Sequence, residues 1–127
     1  MFELEGVDHV AIAVRDVQAS ARWYRDVLGL KRIHEEVWGD HPIMVAAGNT
    51  AIALFPVSLP AQPRPGRDTL AMRHFAFRAS ASQFKLAQSR LKELGIAFTF
   101  QDHTIAHSIY FDDPDGHQVE ITCYEVE

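Results

Sequence analysis

Val7-Asp8-His9-Val10-Ala11-Ile12-Ala13-Val14 and Met72-Arg73-His74-Phe75-Ala76-Phe77-Arg78-Ala79 are two versions of one design, and their likeness decides the fold. In the first, Val10, Ile12 and Val14 alternate with His9, Ala11 and Ala13; in the second, Phe75 and Phe77 alternate with His74, Ala76 and Arg78. A period of two marks a strand with one buried face. The histidines stand 65 positions apart, so the chain reads as one motif written twice.

Outward from these strands, each copy leads into a helix. Asp16 is placed to cap a helix whose Val17, Ala21, Tyr24 and Leu28 share a face and which Gly29 ends. Ser80 or Ser82 caps the second, where Phe84, Ala87, Leu91 and Leu94 keep helical spacing up to Gly95. Further strands are expected at Leu30–Val37 and Ile96–Gln101. Each half then closes with a hairpin: Pro42–Ala47 with Thr50–Phe55 around Gly48-Asn49, and Ser108–Asp112 with His117–Tyr124 around Asp113-Pro114-Asp115-Gly116. Four of the six prolines fall between Pro56 and Arg67, which reads as a linker or flap. The expected organisation is one domain of two βαβββ modules, 1–56 and 71–127, joined by a Pro-rich linker 57–70. One such module is too small to bury its sheet face alone, so the halves are expected to pair.

Composition narrows the function classes. With 127 residues, 47% hydrophobic and 23% charged, the chain matches an ordinary soluble globular domain. A net charge of -5 offers no basic surface for nucleic acid or anionic membrane, so neither is an expected partner. The first residues are acidic and lack the basic and apolar regions of a secretory signal, and no apolar run nears the ~18 residues of a membrane span. The lone cysteine, Cys123, has no partner for an intrachain disulfide. The expected location is the reducing cytoplasm.

Strand alternation then sorts side chains by face. The bulky set of the first strand packs beneath a helix, leaving His9 on the other face among alanines. The second copy places His74 and Ala76 in the same way. In the last strand Val119, Ile121 and Cys123 form the apolar set, and Gln118, Glu120 and Thr122 the polar one. Two histidines and a carboxylate thus lie on the non-helix face. A lone histidine on a strand is ordinarily a surface or core residue; what marks these two is their repeat-equivalent placement with an acid on the same face. Aligning Thr50-Ala51-Ile52-Ala53-Leu54 with His117-Gln118-Val119-Glu120-Ile121 puts Ala53 at the position related to Glu120. Two imidazoles and one carboxylate suit a first-row divalent metal (Fe, Mn, Zn, Ni or Co) with coordination positions open to water or substrate. Tyr110, on the neighbouring strand, is placed to donate a proton or hydrogen bond, with Ser108 of the same parity. Phe55 and Trp38 are candidates for apolar pocket wall.

The opening run, with Trp23-Tyr24-Arg25-Asp26-Val27-Leu28-Gly29-Leu30 and the closing Tyr110-Phe111-Asp112-Asp113-Pro114-Asp115-Gly116-His117-Gln118-Val119-Glu120-Ile121, resembles the vicinal oxygen chelate superfamily. This group holds glyoxalases, bleomycin-resistance proteins, extradiol dioxygenases and fosfomycin-resistance thiol transferases. The resemblance implies an α+β fold of the glyoxalase/bleomycin resistance/dihydroxybiphenyl dioxygenase type, with mixed sheets curved around a pocket. It implies His9, His74 and Glu120 as metal ligands, and a homodimer in which His9 of one chain joins His74 and Glu120 of the other. The implied activity is metal-dependent chemistry, as a lyase, isomerase or dioxygenase, on a small substrate that chelates the ion through adjacent oxygens. Glyoxalase I carries a fourth ligand, a glutamate, where Ala53 stands, so that activity is disfavoured. Fosfomycin enzymes place threonine or cysteine at Ala11 and carry a basic C-terminal extension, which weakens a thiol-transferase reading. Ring-cleaving dioxygenases use an additional pocket histidine, for which His41, His103 and His107 qualify by type alone. The competing expectations are a protein that sequesters a small molecule without transforming it, as bleomycin-binding relatives do, and a fold that keeps the trio as a structural metal site.

Overall fold

A computed structural model describes residues 1–126. The chain divides into two compact units, Met1–Ala61 and Gln62–Glu127, with the boundary inside the proline-rich stretch. In chain order the elements are β1 (His9–Val14), α1 (Val17–Leu28), β2 (Lys31–Ile33), α2 (Glu35–Trp38), β3 (Ile43–Ala47), β4 (Thr50–Pro56), β5 (Phe75–Arg78), α3 (Ala81–Glu93), β6 (Thr99–Asp102), β7 (His107–Asp112) and β8 (Gln118–Cys123). Among the described residues, no helix is long and apolar enough to cross a membrane.

The first unit is a four-stranded mixed sheet in the order β1-β4-β3-β2, with β1 parallel to β4 and the other pairs antiparallel. Its helix starts where Asp16 accepts from the Ala19 amide at 3.0 Å, and ends where Gly29 takes a left-handed φ of 69° and donates to the Arg25 carbonyl. Helix α1 lies against β3 and β4. Tyr24, Ile12, Val14, Ile43, Val45, Ile52 and Leu54 are buried. Burying an aliphatic side chain such as Leu54 contributes about 1.5–3 kcal/mol.

The second unit repeats the plan in the order β5-β8-β7-β6, with β5 parallel to β8. Of the two candidate caps, Ser80 fills the role, accepting from the Gln83 amide at 3.3 Å. Its core contains Phe84, Leu91, Ile109, Phe111, Val119, Ile121 and Cys123. At the closing turn, Asp113 Oδ1 accepts from the amides of Asp115 and His117, both at 2.9 Å, which fixes where β8 begins.

Two expected strands are shorter than their sequence patterns suggest. Leu30–Val37 yields only three strand residues, because His34 turns into the left-handed region at φ 61° and α2 begins directly after it. Arg32 secures that departure by pairing with both Glu35 and Asp40. Ile96–Gln101 begins late, at Thr99, since the Ile96 amide is spent on the Leu91 carbonyl at the end of α3. The first strand of each copy is also trimmed. His9 opens β1, and His74 falls just before β5.

Candidate metal and substrate site

Register, not proximity in sequence, positions the functional side chains. Ala11 pairs with Ala53, which pairs with Met44. In the second unit Ala76 pairs with Glu120, which pairs with Tyr110. Paired residues share a face, so Ala53 is the structural counterpart of Glu120, and Met44 that of Tyr110. The alignment read from the repeat is the one the strands make.

In the second unit this face is polar. His74 Nε2 lies 2.9 Å from Glu120 Oε1, and Glu120 is buried, at 8% exposure. A carboxylate taken out of water requires partners, since an unpaired one would cost several kcal/mol. The ring of Tyr110 meets His74 edge to face at 5.5 Å. Burial pushes the Tyr110 phenol above its usual value; the charge of Glu120 and a hydrogen bond with it add to the effect, and Ser108 opposes it. Tyr110 therefore keeps its proton at neutral pH and serves as a donor. Ser108, fully buried, also donates to the Thr122 hydroxyl at 3.0 Å, tying β7 to β8.

Of the three histidines that qualify by type alone as an additional pocket histidine, His103 reaches this face: its Nε2 lies 2.9 Å from the Tyr110 hydroxyl. With that nitrogen protonated, His103 donates to the phenol oxygen and leaves the phenol proton for Glu120. The tight hairpin makes this reach possible. His103 N donates to the Ala106 carbonyl at 2.8 Å, and Asp102 Oδ1 accepts from Thr104 N at 2.8 Å. His107 instead lies 3.6 Å from Asp102 and meets Phe100 edge to face at 5.2 Å.

His9 lies in the first unit, where its Nδ1 is 2.9 Å from Asp8 Oδ2. That bond can hold the ring orientation and turn Nε2 outward as the available donor atom. The sheet face around it forms a concavity of ≈ 250 Å³, with Ile33, Trp38, Met44, Ala53 and Phe55 among its walls. Within either unit, among the described residues, no three His, Cys, Asp or Glu side chains meet as a metal-binding group. The donors that do meet, His74 Nε2 and Glu120 Oε1, fit a divalent ion in type and spacing. Neighbouring ligands with bonds of about 2.1 Å hold their donor atoms about 3 Å apart.

The family model described as the Glyoxalase/Bleomycin resistance protein/Dioxygenase superfamily matches residues 6–121, and the chain belongs to that family. Among curated relatives, it is 26% identical over 118 residues to glutathione transferase FosA of Serratia marcescens, covering 93% of this chain and 80% of that one. It is 24% identical over 116 residues to catechol-2,3-dioxygenase of Bacillus subtilis, covering 91% of this chain but only 40% of the relative. Among solved structures, a glyoxylase/bleomycin resistance protein/dioxygenase domain from Frankia sp. EAN1pec superposes with a TM-score of 0.81 at 25% identity, covering 97% of this chain and 100% of that one. The two-module α+β fold and the vicinal oxygen chelate membership expected from sequence both stand. Both named relatives are enzymes, which supports an enzymatic kind without fixing the reaction.

Proposed function

We propose that the chain is a metal-dependent enzyme whose small substrate chelates a divalent ion through two adjacent oxygens. The observation that carries this reading is the His74–Glu120 pair, 2.9 Å apart on a polar sheet face whose counterpart in the first unit is alanine. His74 and Glu120 supply two ligands, and His9 of a second copy of the chain supplies the third. When bound, the ion would act as a Lewis acid toward a chelated oxygen. Tyr110 holds its proton at the same face, and on substrate binding the hydrogen bond it gives to Glu120 passes to a substrate oxygen as charge develops there. His103 steadies the phenol through its 2.9 Å contact with the hydroxyl. Asp8 orients His9 through Nδ1.

A second reading, thiol transfer of the fosfomycin-resistance kind, draws support from the similarity to the Serratia transferase. Sequestration without turnover is separated from both by the fate of the substrate.

The deciding experiment offers Fe(II), Mn(II), Zn(II), Ni(II) and Co(II) to anaerobically purified protein. Stoichiometric uptake of one of these, lost in Glu120→Gln, is expected; no uptake of any ion overturns the proposal. Mixing His9→Ala with Glu120→Ala chains should restore part of the activity that each lacks alone. Failure to recover it, with subunit exchange demonstrated, would refute a site shared between chains.

A further inference from the structure

Of the three proposed ligands, His74 alone lies outside a strand. The pairing of β5 with β8 begins at Phe75 and Val119, one residue past it. Its Nε2 nevertheless stands 2.9 Å from Glu120 Oε1. A side chain ahead of its strand, on a chain arriving from a proline-rich stretch, has no ladder to aim it. Some other contact must do so if the site is to keep its geometry.

What precedes His74 is a strap, residues 64–73, closed by three arginines within the second unit. Arg64 Nη2 donates to the Met72 carbonyl at 2.9 Å, and Arg73 Nη1 donates to the Arg67 carbonyl at 3.3 Å. Arg67 Nη2 pairs with Asp112 Oδ1 at 3.0 Å. The Thr69 hydroxyl donates to the Gly66 carbonyl at 2.6 Å and folds the middle of the strap. Pro63 and Pro65 flank Arg64 and fix φ on both sides of it, which lowers the entropy lost on ordering. A guanidinium suits this work, because its rigid fork of N–H donors can hold a carbonyl or a carboxylate at a set angle.

These contacts fall into two groups. The Met72 carbonyl and the Arg73 guanidinium belong to the chain immediately before His74. Asp112 and Gly116 belong to the sheet, at the end of β7 and in the turn to β8. The Arg64 stem lies over Gly116, where φ is 88° and an added Cβ would stand 3.9 Å from Arg64 Cδ. Asp112 lies two residues along β7 from Tyr110 and so shares its face; it pairs with Gln118, two residues before Glu120. The strap therefore ties His74 to the same two strands that carry Tyr110 and Glu120.

We propose that Arg64 and Arg67 are positioning residues: the strap they close holds His74 against Glu120 and thereby sets the affinity of the metal site. The consequence for the metal rests on the function proposed above; the aim of His74 does not.

The test uses the full-length chain. NMR of the His74 ring signals in metal-free protein reads the aim of the side chain, and a competition titration with Zn(II) reads affinity. Arg64→Ala and Arg67→Ala are each expected to shift and broaden the His74 signals and to weaken Zn(II) by about tenfold, the range for residues that support metal ligands. Arg67→Asp combined with Asp112→Arg should return the His74 signals and bring Zn(II) affinity to within about threefold of wild type, which neither reversal does alone. If Arg67→Ala does not fold, Asp112→Asn removes the same ion pair from its more exposed side. Wild-type His74 signals in the variants overturn the proposal, as does a double reversal no better than the single ones. A strap that only stabilises the fold would lower Tm and leave the His74 signals and Zn(II) affinity alone. His74 signals that respond in a protein taking up no Zn(II) would sink the metal reading and keep the aim of His74. Zn(II) uptake indifferent to the strap would sink the strap alone.

Discussion

The two units share strand order, pairing sense and register, yet their open faces are chemically opposite. In the first, the row through the parallel pair reads Ala11, Ala53, Met44 and Ile33; in the second it reads Ala76, Glu120, Tyr110 and Thr99. The helix-facing rows, by contrast, are apolar in both. Ile12, Leu54 and Ile43 on one side correspond in kind to Phe77, Ile121 and Ile109 on the other. What the fold demands has been kept twice, whereas what the chemistry demands was written once. On the proposed function, activity rests on a handful of side chains grafted onto a scaffold that tolerates either version.

The comparison is broken most severely by erasing the polar row. Glu120→Gln keeps the volume and removes the charge, and metal affinity should fall by about 100-fold or more, since even supporting residues of a metal site contribute 10- to 100-fold. Metal retained after dialysis, measured against wild type, reads the effect. Undiminished retention would place the ion elsewhere.

The converse change writes the acid into the apolar row. In metal-free protein, Ala53→Glu puts a carboxylate at a site 2% exposed, packed beside Met44. At neutral pH this should cost about 3 kcal/mol in stability. Burial would raise the new group's pKa in the folded state, so the penalty is largest above that raised value and shrinks as pH falls and the acid is neutralised. Urea unfolding at pH 7 and pH 5 checks the sign; a larger loss at pH 5 would show that the first unit already offers this carboxylate a cation.

Tyr110→Phe sharpens the comparison by removing one polar member while keeping the ring against His74. Turnover should drop by about tenfold, the worth of one hydrogen bond to a charged group, with metal retention unchanged. Equal loss of metal would mean that the phenol supports the ligands and not the substrate.

These contrasts also show what was legible before the structure. The repeat, the facing of His9, His74 and Glu120, and the equivalence of Ala53 with Glu120 follow from strand periodicity, which the sequence writes plainly. The lengths of β2 and β6 do not. Ile33 and Val37 alternate well enough to suggest one long strand, but His34 leaves the extended region and Arg32 gathers Glu35 and Asp40 around the bend. His103 was equally hidden. Its contact with Tyr110 depends on a hairpin closed by Asp102 and Thr104, and side chains on a loop have no period to betray their direction.

The smallest effect separates the units at their helix starts. Asp16 and Ser80 perform one task, but Asp16 Oδ1 sits 3.0 Å from its amide and Ser80 Oγ sits 3.3 Å from its own. Asp16 also carries a negative charge at the positive end of α1, whereas the Ser80 hydroxyl brings none to α3. At the start of α3 the Glu125 carboxylate adds a second acceptor, taking the Ala81 amide at 2.6 Å. Asp16→Ala should therefore cost about 1 kcal/mol or slightly more, and Ser80→Ala about half of that, because Glu125 continues to satisfy and neutralise the end of α3. Thermal unfolding of the two variants would rank them, and Glu125→Ala added to Ser80→Ala should widen the loss beyond the sum of the two alone. Strict additivity would mean that the two acceptors act independently at that helix end.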